Sequence, residues 1–166
     1  MAKDLGYDGA LVERLDAGNH GFSLEANSNK MFYDLAKYGI VPNKTYETKH
    51  LPTNIPEEFI PSFALGLLDG DGCLSFSDKK YKYLHMDFTS YYESMVTDYR
   101  NMIDKLIEKE DHRSPHFNGA WHITWSGNQQ VVKILDILYE HADVYLTRKH
   151  DKYLEMKEYM ENKNKN

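Results

Sequence analysis

Two aspartates separated by one glycine follow an apolar run in residues 63–76, FALGLLDGDGCLSF. The apolar half has the spacing of a helix, so Asp69 and Asp71 come at the carboxyl end of that helix. The backbone dipole makes this end negative, and an acid there costs about 0.3–1 kcal/mol unless positive charge offsets it. The pair therefore indicates a nearby cation, a basic partner or plain exposure to solvent.

The DGDG quartet at residues 69–72 also has simpler interpretations. Glycine and aspartate dominate tight turns, so an ordinary turn is the plain alternative to a cation site. A calcium loop of the EF-hand type is excluded, because Leu74 stands where that loop needs glycine and Lys80 where it needs glutamate. The surrounding elements must decide between a turn and an oxygen-ligated metal.

Composition restricts the class of protein. The chain has 166 residues, 41% apolar and 28% charged, which suits one globular domain or one and a half small repeats. No apolar run approaches the roughly 20 residues of a membrane span, and the first ten residues do not form a secretory signal. The single cysteine, Cys73, allows neither an internal disulfide nor a cysteine-based zinc site. We expect an intracellular protein without a membrane partner.

Charge is unevenly distributed along the chain. The net charge of −6 argues mildly against a nucleic-acid binder and keeps a small protein-interaction domain as an alternative. The acids cluster in residues 57–58, 69–71 and 106–111, whereas residues 79–85 and 146–152 are basic. The global charge therefore says little about any one face of the fold.

Periodicity predicts alternating helices and hairpins from residue 54 onward. Residues 54–68 have helical spacing, with Thr53 or Asn54 as the cap, and the period changes to two after Gly72. Two hairpins are expected, each with one apolar and one polar face, and an amphipathic helix follows each of them. The apolar strand positions are Leu74, Phe76, Leu84, Met86, Phe88, Trp121, Ile123 and Trp125. The predicted order is helix, hairpin, helix, hairpin, helix, with a last amphipathic segment at residues 153–160.

The beginning of the chain repeats the end of that unit. In each copy an alternating strand and an apolar helix precede a lysine, Lys44 in the first copy and Lys149 in the second. The first copy has no counterpart of residues 64–72. We therefore divide the chain into a partial repeat of a hairpin and a helix without a motif helix, residues 1–50, and a complete repeat, residues 51–166.

The sequence ALGLLDGDG at residues 64–72 resembles the LAGLIDADG signature of the homing endonucleases. The segments GIVPNK and YLTRK, near the ends of the two repeats, add to the likeness, which covers residues 20–155. It implies an α+β fold of the homing-endonuclease type, with helix-hairpin-helix-hairpin-helix repeats and a saddle-shaped antiparallel sheet. It also implies a site-specific DNA endonuclease that makes a metal-dependent double-strand break, as in the mobility of introns or inteins. Such an enzyme would act in a bacterial or phage-infected cytoplasm or in an organelle.

In that family two such helices pack side by side, and each brings one carboxylate to the scissile phosphates. The resemblance makes Asp71 the metal-binding acid and the Gly70 carbonyl a ligand beside it, whereas Asp69 caps locally or faces solvent. It implies Mg²⁺ or another divalent cation, which binds one or two carboxylates together with water and phosphate oxygens. The face that meets a second helix, from another copy or a partner chain, would consist of Phe63, Gly66 and Leu67.

The resemblance also assigns roles to basic and polar residues. Lys149 and Lys44 match the family's basic residue near the cleavage centre, where a lysine stabilises charge on the phosphate. Both could instead be ordinary surface lysines, and the lysines of residues 79–82 could simply protect a strand edge. The polar face of the sheet would read double-stranded DNA through its major groove. Its candidate contacts are Ser75, Ser77, Lys79, Lys80, Lys82, Tyr83, His85, His116, Asn118, His122 and Thr124.

One motif per chain leaves the two-carboxylate site of that family half complete. The chain could form a homodimer, could be one part of a split enzyme, or could be a truncated remnant. The partial repeat favours the last two. The alternative function is a non-catalytic DNA-binding module on the same scaffold, such as a regulator or a maturase-like helper.

Overall fold

The computed structural model describes residues 12–16, 19–23, 27–41, 48–77, 83–109 and 113–164. The chain divides into two compact units, Met1–Lys37 and Tyr38–Asn166. Four of the candidate functional residues, Lys44, Lys79, Lys80 and Lys82, lie outside the described residues.

The first unit holds the hairpin and the helix that the sequence predicts before residue 37. Its elements are β1 (Val12–Asp16), β2 (Asn19–Ser23), which pairs with β1 antiparallel, and α1 (Asn29–Ala36). The Ser28 hydroxyl caps α1 by accepting the Met31 N–H at 3.2 Å. Hydrogen bonds from Lys30 and Lys37 lower the pKa of the Asp34 carboxyl to about 2.

The second unit alternates helices with hairpins in the predicted order. Its elements are a 3₁₀ turn (Glu57–Phe59), α2 (Ile60–Asp71), β3 (Gly72–Phe76), β4 (Leu84–Ser90), α3 (Glu93–Ile107), β5 (His116–Phe117), β6 (Trp121–Ser126), α4 (Asn128–Tyr139) and α5 (Thr147–Asn164). The predicted α+β class is therefore confirmed. No helix in the described part of the chain is long and apolar enough to cross a membrane.

Strands β3 to β6 form one antiparallel sheet in the order β3-β4-β6-β5. Successive side chains of a strand lie on opposite faces of the sheet. Met86 and Trp125, which are cross-strand neighbours, are fully buried, as are Leu84 and, to within 1%, Phe88 and Ile123. The alternation predicted for both hairpins is therefore confirmed on the apolar face.

The core packs this apolar face against α2, α3 and α4. The Tyr99 ring of α3 stacks on Phe88 at 4.1 Å between ring centroids and meets Trp125 edge-on at 5.9 Å. Its hydroxyl donates to the Ala64 carbonyl of α2 at 3.2 Å. Fully burying a large apolar side chain is worth roughly 1.5–3 kcal/mol. The core therefore fixes α2, which carries the motif, against the sheet.

Two helix boundaries differ from the prediction. Helix α2 begins at Ile60 instead of near Asn54, after a 3₁₀ turn, because the backbone is extended at Pro56, with ψ at 142°, whereas Pro61 fits the first turn of the helix. Helix α5 runs from Thr147 to Asn164, well beyond residues 153–160. Its flanking residues are mostly Lys, Glu and Asn, and lysine and glutamate favour helix without adding an apolar pattern. Amphipathicity therefore marked the apolar contacts of α5 and missed its first turn, where the buried residue is a lysine, Lys149.

Candidate functional site

A buried lysine caps the carboxyl end of the motif helix α2. Lys149 lies in the first turn of α5 and is only 3% exposed. Its ammonium donates to the carbonyls of Leu68, of Asp69 at 3.0 Å and of Gly72 at 2.5 Å. An ammonium group has three N–H donors, so these contacts use all of them. The positive charge that the two aspartates indicate is therefore supplied by the protein itself.

The charges around Lys149 oppose one another. Burial lowers the pKa of its ammonium below the ordinary value, and the neighbouring Arg148 lowers it further, whereas Asp69, Cys73 and Asp71 act to raise it. Desolvation outweighs the attraction of these groups. To donate to a phosphate, the ammonium of Lys149 would first have to release one of its carbonyl partners. The catalytic role that the resemblance gives to Lys149 stays a prediction.

Asp69 ties the motif helix to the start of α5. Its Oδ2 accepts the N–H of Leu146 at 2.7 Å, directly before the first residue of α5. The first N–H groups of a helix have no partner inside the helix, so this bond satisfies one that would otherwise be open. The Asp69 carboxylate also helps to raise the pKa of Tyr99 and Tyr139, for both of which burial is the larger cause. Asp69 therefore has the local role expected for it.

Asp71 is exposed, and its carboxylate forms no hydrogen bond or ion pair with the residues that the structure describes. It lines a groove of about 620 Å³. Leu67 of α2, Thr89 of β4 and Met95 of α3 line the same groove. The motif carboxylate and a polar strand residue thus share one concave surface.

Asp71 fits a magnesium site only as one ligand among several. Within the described ranges, no group of three or more His, Cys, Asp or Glu side chains is arranged to hold a metal. Mg²⁺ usually keeps several waters and is bound by one or two carboxylates plus phosphate oxygens. Asp71, with the Gly70 carbonyl beside it in sequence, meets that requirement in part. The other ligands would have to come from water, from a phosphate or from a second motif helix.

One face of α2 is uncovered by the residues that the structure describes in its own unit. Phe59 is 57% exposed, Phe63 and Leu67 are partly buried, and Gly66 is exposed. A Cβ atom built at Gly66 or Gly70 would meet no described atom within 4 Å. An apolar stripe interrupted by glycine lets a second backbone approach closely. The expected contact face of Phe63, Gly66 and Leu67 therefore has room for another helix.

The sheet face away from the core is polar throughout the described strands. Strand pairing aligns its residues in three rows, Ser75–His85–Ser126, Cys73–Asp87–Thr124 and Thr89–His122–His116. Five of the predicted DNA contacts share this face: Ser75, His85, His116, His122 and Thr124. Three more, Ser77, Tyr83 and Asn118, are exposed at the ends of strands. We define these three rows as the polar sheet face.

Sequence patterns missed a hydrogen-bond network in the middle of the polar sheet face. Asp87 accepts from the hydroxyl of Thr124 at 2.5 Å and from that of Thr89 at 3.1 Å. The Nδ1 atom of His122 lies 3.3 Å from the same carboxylate. Asp87 falls on the polar side of the predicted alternation, but its partners on β6 are 35 and 37 residues away in sequence. The periodicity gave no signal that these residues meet.

Comparison of the chain with protein-family models, with curated proteins and with solved structures found no significant match. The likeness to LAGLIDADG proteins thus depends on the motif and on the order of elements. The function that follows from them is a proposal.

Proposed function

We propose that this chain is one half of a site-specific DNA endonuclease of the LAGLIDADG homing type, which hydrolyses phosphodiester bonds with a divalent metal. The position of Asp71 carries the proposal. Its carboxylate is exposed at the end of a helix with an uncovered face, and it lines a groove with Thr89 of the polar sheet face. An exposed carboxylate that forms no hydrogen bond or ion pair with the described residues is available to bind a ligand.

The polar sheet face supports the assignment of DNA as the substrate. A two-stranded β-ribbon fits the major groove, where hydroxyl, amide and imidazole groups can contact base edges. Ser75, His85 and Ser126 lie side by side across three strands of this face. Affinity would depend on local basic residues, since the net charge of the chain is −6, and should fall steeply with salt.

The chain's own contribution to cleavage is to bind and position the metal ligand. Asp71 would hold the ion through its carboxylate, with the Gly70 carbonyl beside it. A bound divalent ion polarises the scissile phosphate and the attacking water and stabilises the leaving oxygen. Lys149 holds the carbonyls of Asp69 and Gly72, which flank Asp71 on both sides, so the backbone that carries the ligand is fixed.

A complete site requires a second motif helix, because one chain supplies one such carboxylate. The uncovered face of α2 around Gly66 supports a helix-to-helix contact there. A homodimer and a two-chain split enzyme both satisfy this requirement. Native mass spectrometry of the purified chain, alone and with DNA, separates a self-pairing chain from one that needs a different partner.

The test of the function uses the whole chain and a pool of random-sequence duplexes, because the target is unknown. Duplexes that bind at low salt are selected and incubated with wild type, Asp71→Asn or Asp151→Asn, in Mg²⁺ or in EDTA. Asp151 is an exposed acid of α5 and serves as the matched control. We expect Mg²⁺-dependent cleavage by wild type and Asp151→Asn, with equal binding but roughly 100-fold slower cleavage by Asp71→Asn. Equal cleavage by wild type and Asp71→Asn would refute the metal-ligand role.

A non-catalytic DNA-binding module is the second candidate. The full occupation of the Lys149 donors by carbonyl groups favours it, because the basic group expected at the cleavage centre is then not free. The same experiment separates the two functions. Selection of specific duplexes without cleavage by any form, under conditions where native mass shows paired chains, would favour the binding module.

A further inference from the structure

The network around Asp87 determines which atoms of His122 carry hydrogen. A carboxylate can only accept hydrogen bonds, so the hydroxyl of Thr89 is the donor in its 3.1 Å contact with Asp87 Oδ1. That hydroxyl has a single hydrogen, so its oxygen can only accept in its 3.0 Å contact with His122 Nδ1. Nδ1 must therefore be the N–H, shared between Thr89 and Asp87.

The same network leaves the other ring nitrogen free. In a neutral imidazole with hydrogen on Nδ1, the Nε2 atom is an acceptor. His122 Nε2 has no hydrogen-bond partner among the residues that the structure describes. The side chains of His122 and Asp87 are 24% and 25% exposed, so the ring is anchored yet still reachable.

The ring orientation of His122 is held from a second side. His116, its cross-strand neighbour on β5, stacks on it with 5.4 Å between ring centroids and 20° between ring planes. Thr124 donates to the second oxygen of Asp87 at 2.5 Å, which holds the carboxylate in turn. His122 is therefore a fixed acceptor on the polar sheet face, whereas His85 on the same face has no such anchors within the described part of the chain.

We propose that His122 is a specificity-determining residue, whose Nε2 accepts a hydrogen bond from the exocyclic amino group of an adenine or a cytosine in the major groove. The inference rests on the proposed binding of DNA to the polar sheet face. In the major groove the amino donors are N6 of adenine and N4 of cytosine, whereas guanine and thymine present only acceptors at the matching edges. A fixed acceptor therefore prefers A or C on the strand that it contacts and disfavours G or T.

The first arm of the test needs no DNA. Long-range ¹H–¹⁵N spectra of the free protein at neutral pH, assigned with His122→Ala, report which ring nitrogen carries the hydrogen. We expect Nδ1 of His122 to be protonated and Nε2 to be a bare acceptor. Thr89→Val, which keeps the ring and removes the hydroxyl, should raise the population of the other tautomer only in part, because Asp87 Oδ1 still lies 3.3 Å from Nδ1. A His122 ring protonated on Nε2 in the wild type would overturn the proposal, whatever the outcome of the DNA-binding experiment.

The second arm selects duplexes from a random pool with wild type, His122→Ala, His85→Ala and Thr89→Val. We expect one position with an A-or-C preference that His85→Ala retains and that His122→Ala weakens by about 3- to 10-fold, as for one lost hydrogen bond. Thr89→Val should weaken it while leaving the ring in place, which keeps the test valid if His122→Ala folds poorly. Specific binding in which no such position responds to His122 would overturn this inference alone. No duplex binding by wild type, with the expected tautomer, would remove the proposed function and this inference with it.

Discussion

Lys149 and Gly72 are joined by a 2.5 Å hydrogen bond from the ammonium to the backbone carbonyl. Gly72 is the first residue of β3, and its N–H donates to the carbonyl of Leu68, which Lys149 also contacts. The lysine thus connects the last turn of α2, the start of β3 and the first turn of α5. This cation offsets the negative end of the motif helix, so Asp69 and Asp71 are tolerated there and are available for contacts with other groups.

Replacing Lys149 by methionine should destabilise the protein strongly. Methionine fills a similar volume, but it leaves the carbonyls of Asp69 and Gly72 without their buried donor, whereas the Leu68 carbonyl keeps the N–H of Gly72. Unsatisfied buried acceptors cost about 1–3 kcal/mol each, although water can reach part of this site, so we expect a loss of about 3 kcal/mol. Urea unfolding followed by circular dichroism measures it.

Lys105→Met is the matched control for that variant. Lys105 also contacts an acid of another element, Glu57, at 3.1 Å, but their side chains are 67% and 85% exposed. Exposed pairs of this kind are worth about 0–1 kcal/mol, so the control should lose no more than that. Equal losses in the two variants would mean that the Lys149 contacts contribute no more than a surface pair.

The two aspartates of the motif should differ in their effect on stability. Asp69→Ala leaves the Leu146 N–H without its acceptor and should cost about 1–2 kcal/mol, as for loss of a helix cap. Asp71→Ala should change the free energy of unfolding by no more than about 0.5 kcal/mol. The helix dipole repels Asp71 and Lys149 attracts it, and both effects are small at an exposed site. Denaturation curves of the two variants, recorded in parallel, measure these changes in the free energy of unfolding. A large decrease for Asp71→Ala would indicate that Asp71 has a structural role instead.

Two glycines of the motif should respond in opposite ways to alanine. Gly66→Ala should stabilise the isolated chain by about 0.5–1 kcal/mol, because a Cβ meets no described atom there and alanine favours helix. Gly72→Ala should destabilise it by about 1–3 kcal/mol, because the new Cβ would contact the Leu68 side chain and lie 2.6 Å from the Leu68 carbonyl oxygen. Thermal unfolding of dilute protein measures both.

Gly66 also tests the uncovered face of α2 at higher protein concentration. Gly66→Leu would overpack a close helix-to-helix contact and should weaken association about tenfold or more. Asp151→Leu places the same side chain on an exposed position of α5 and should leave association unchanged. Sedimentation equilibrium of the three proteins measures the effect, and unaltered association of Gly66→Leu would exclude this face as the contact.

Local patterns predicted the parts of the fold that repeat along the chain. The alternation of Leu84, Met86 and Phe88 predicted which side of β4 is buried, because every second side chain of a strand lies on the same face of the sheet. The start of α2 was predicted too early because the helical spacing extends across Pro56, whereas the backbone there forms a 3₁₀ turn.

The site was predictable only where the motif itself carries it. Asp71 was singled out by its place after the apolar run. Lys149 was given a role only through the resemblance, and its contact with the helix end was not predicted, because Lys149 is 81 residues from Leu68. The bond from Leu146 to Asp69 spans 77 residues in the same way. Contacts of this range depend on how the elements pack, and neither periodicity nor residue type specifies them.

Buried tyrosines should make the protein less stable at alkaline pH. Burial raises the pKa of Tyr99 and of Tyr139 above the ordinary value of about 10, and the Asp69 carboxylate raises both further. Above pH 10 the unfolded chain then releases protons that the folded chain retains, so the free energy of unfolding falls as the pH rises. Tyrosine absorbance and circular dichroism, recorded together, should show these two phenols ionising only as the protein unfolds.

Phenylalanine variants separate the hydroxyl contacts of these two tyrosines. Tyr99→Phe loses the hydrogen bond to the Ala64 carbonyl and should cost about 1 kcal/mol at neutral pH. Tyr139→Phe should be neutral or slightly stabilising, because its buried hydroxyl has no partner among the described residues. Both variants should flatten the alkaline fall in stability, since each removes one phenol whose pKa differs between the folded and unfolded states. An unchanged slope in both would mean that other groups cause the fall. Urea unfolding at several pH values, from neutrality to the alkaline transition, measures for each variant both the change in stability at neutral pH and the slope of stability against pH.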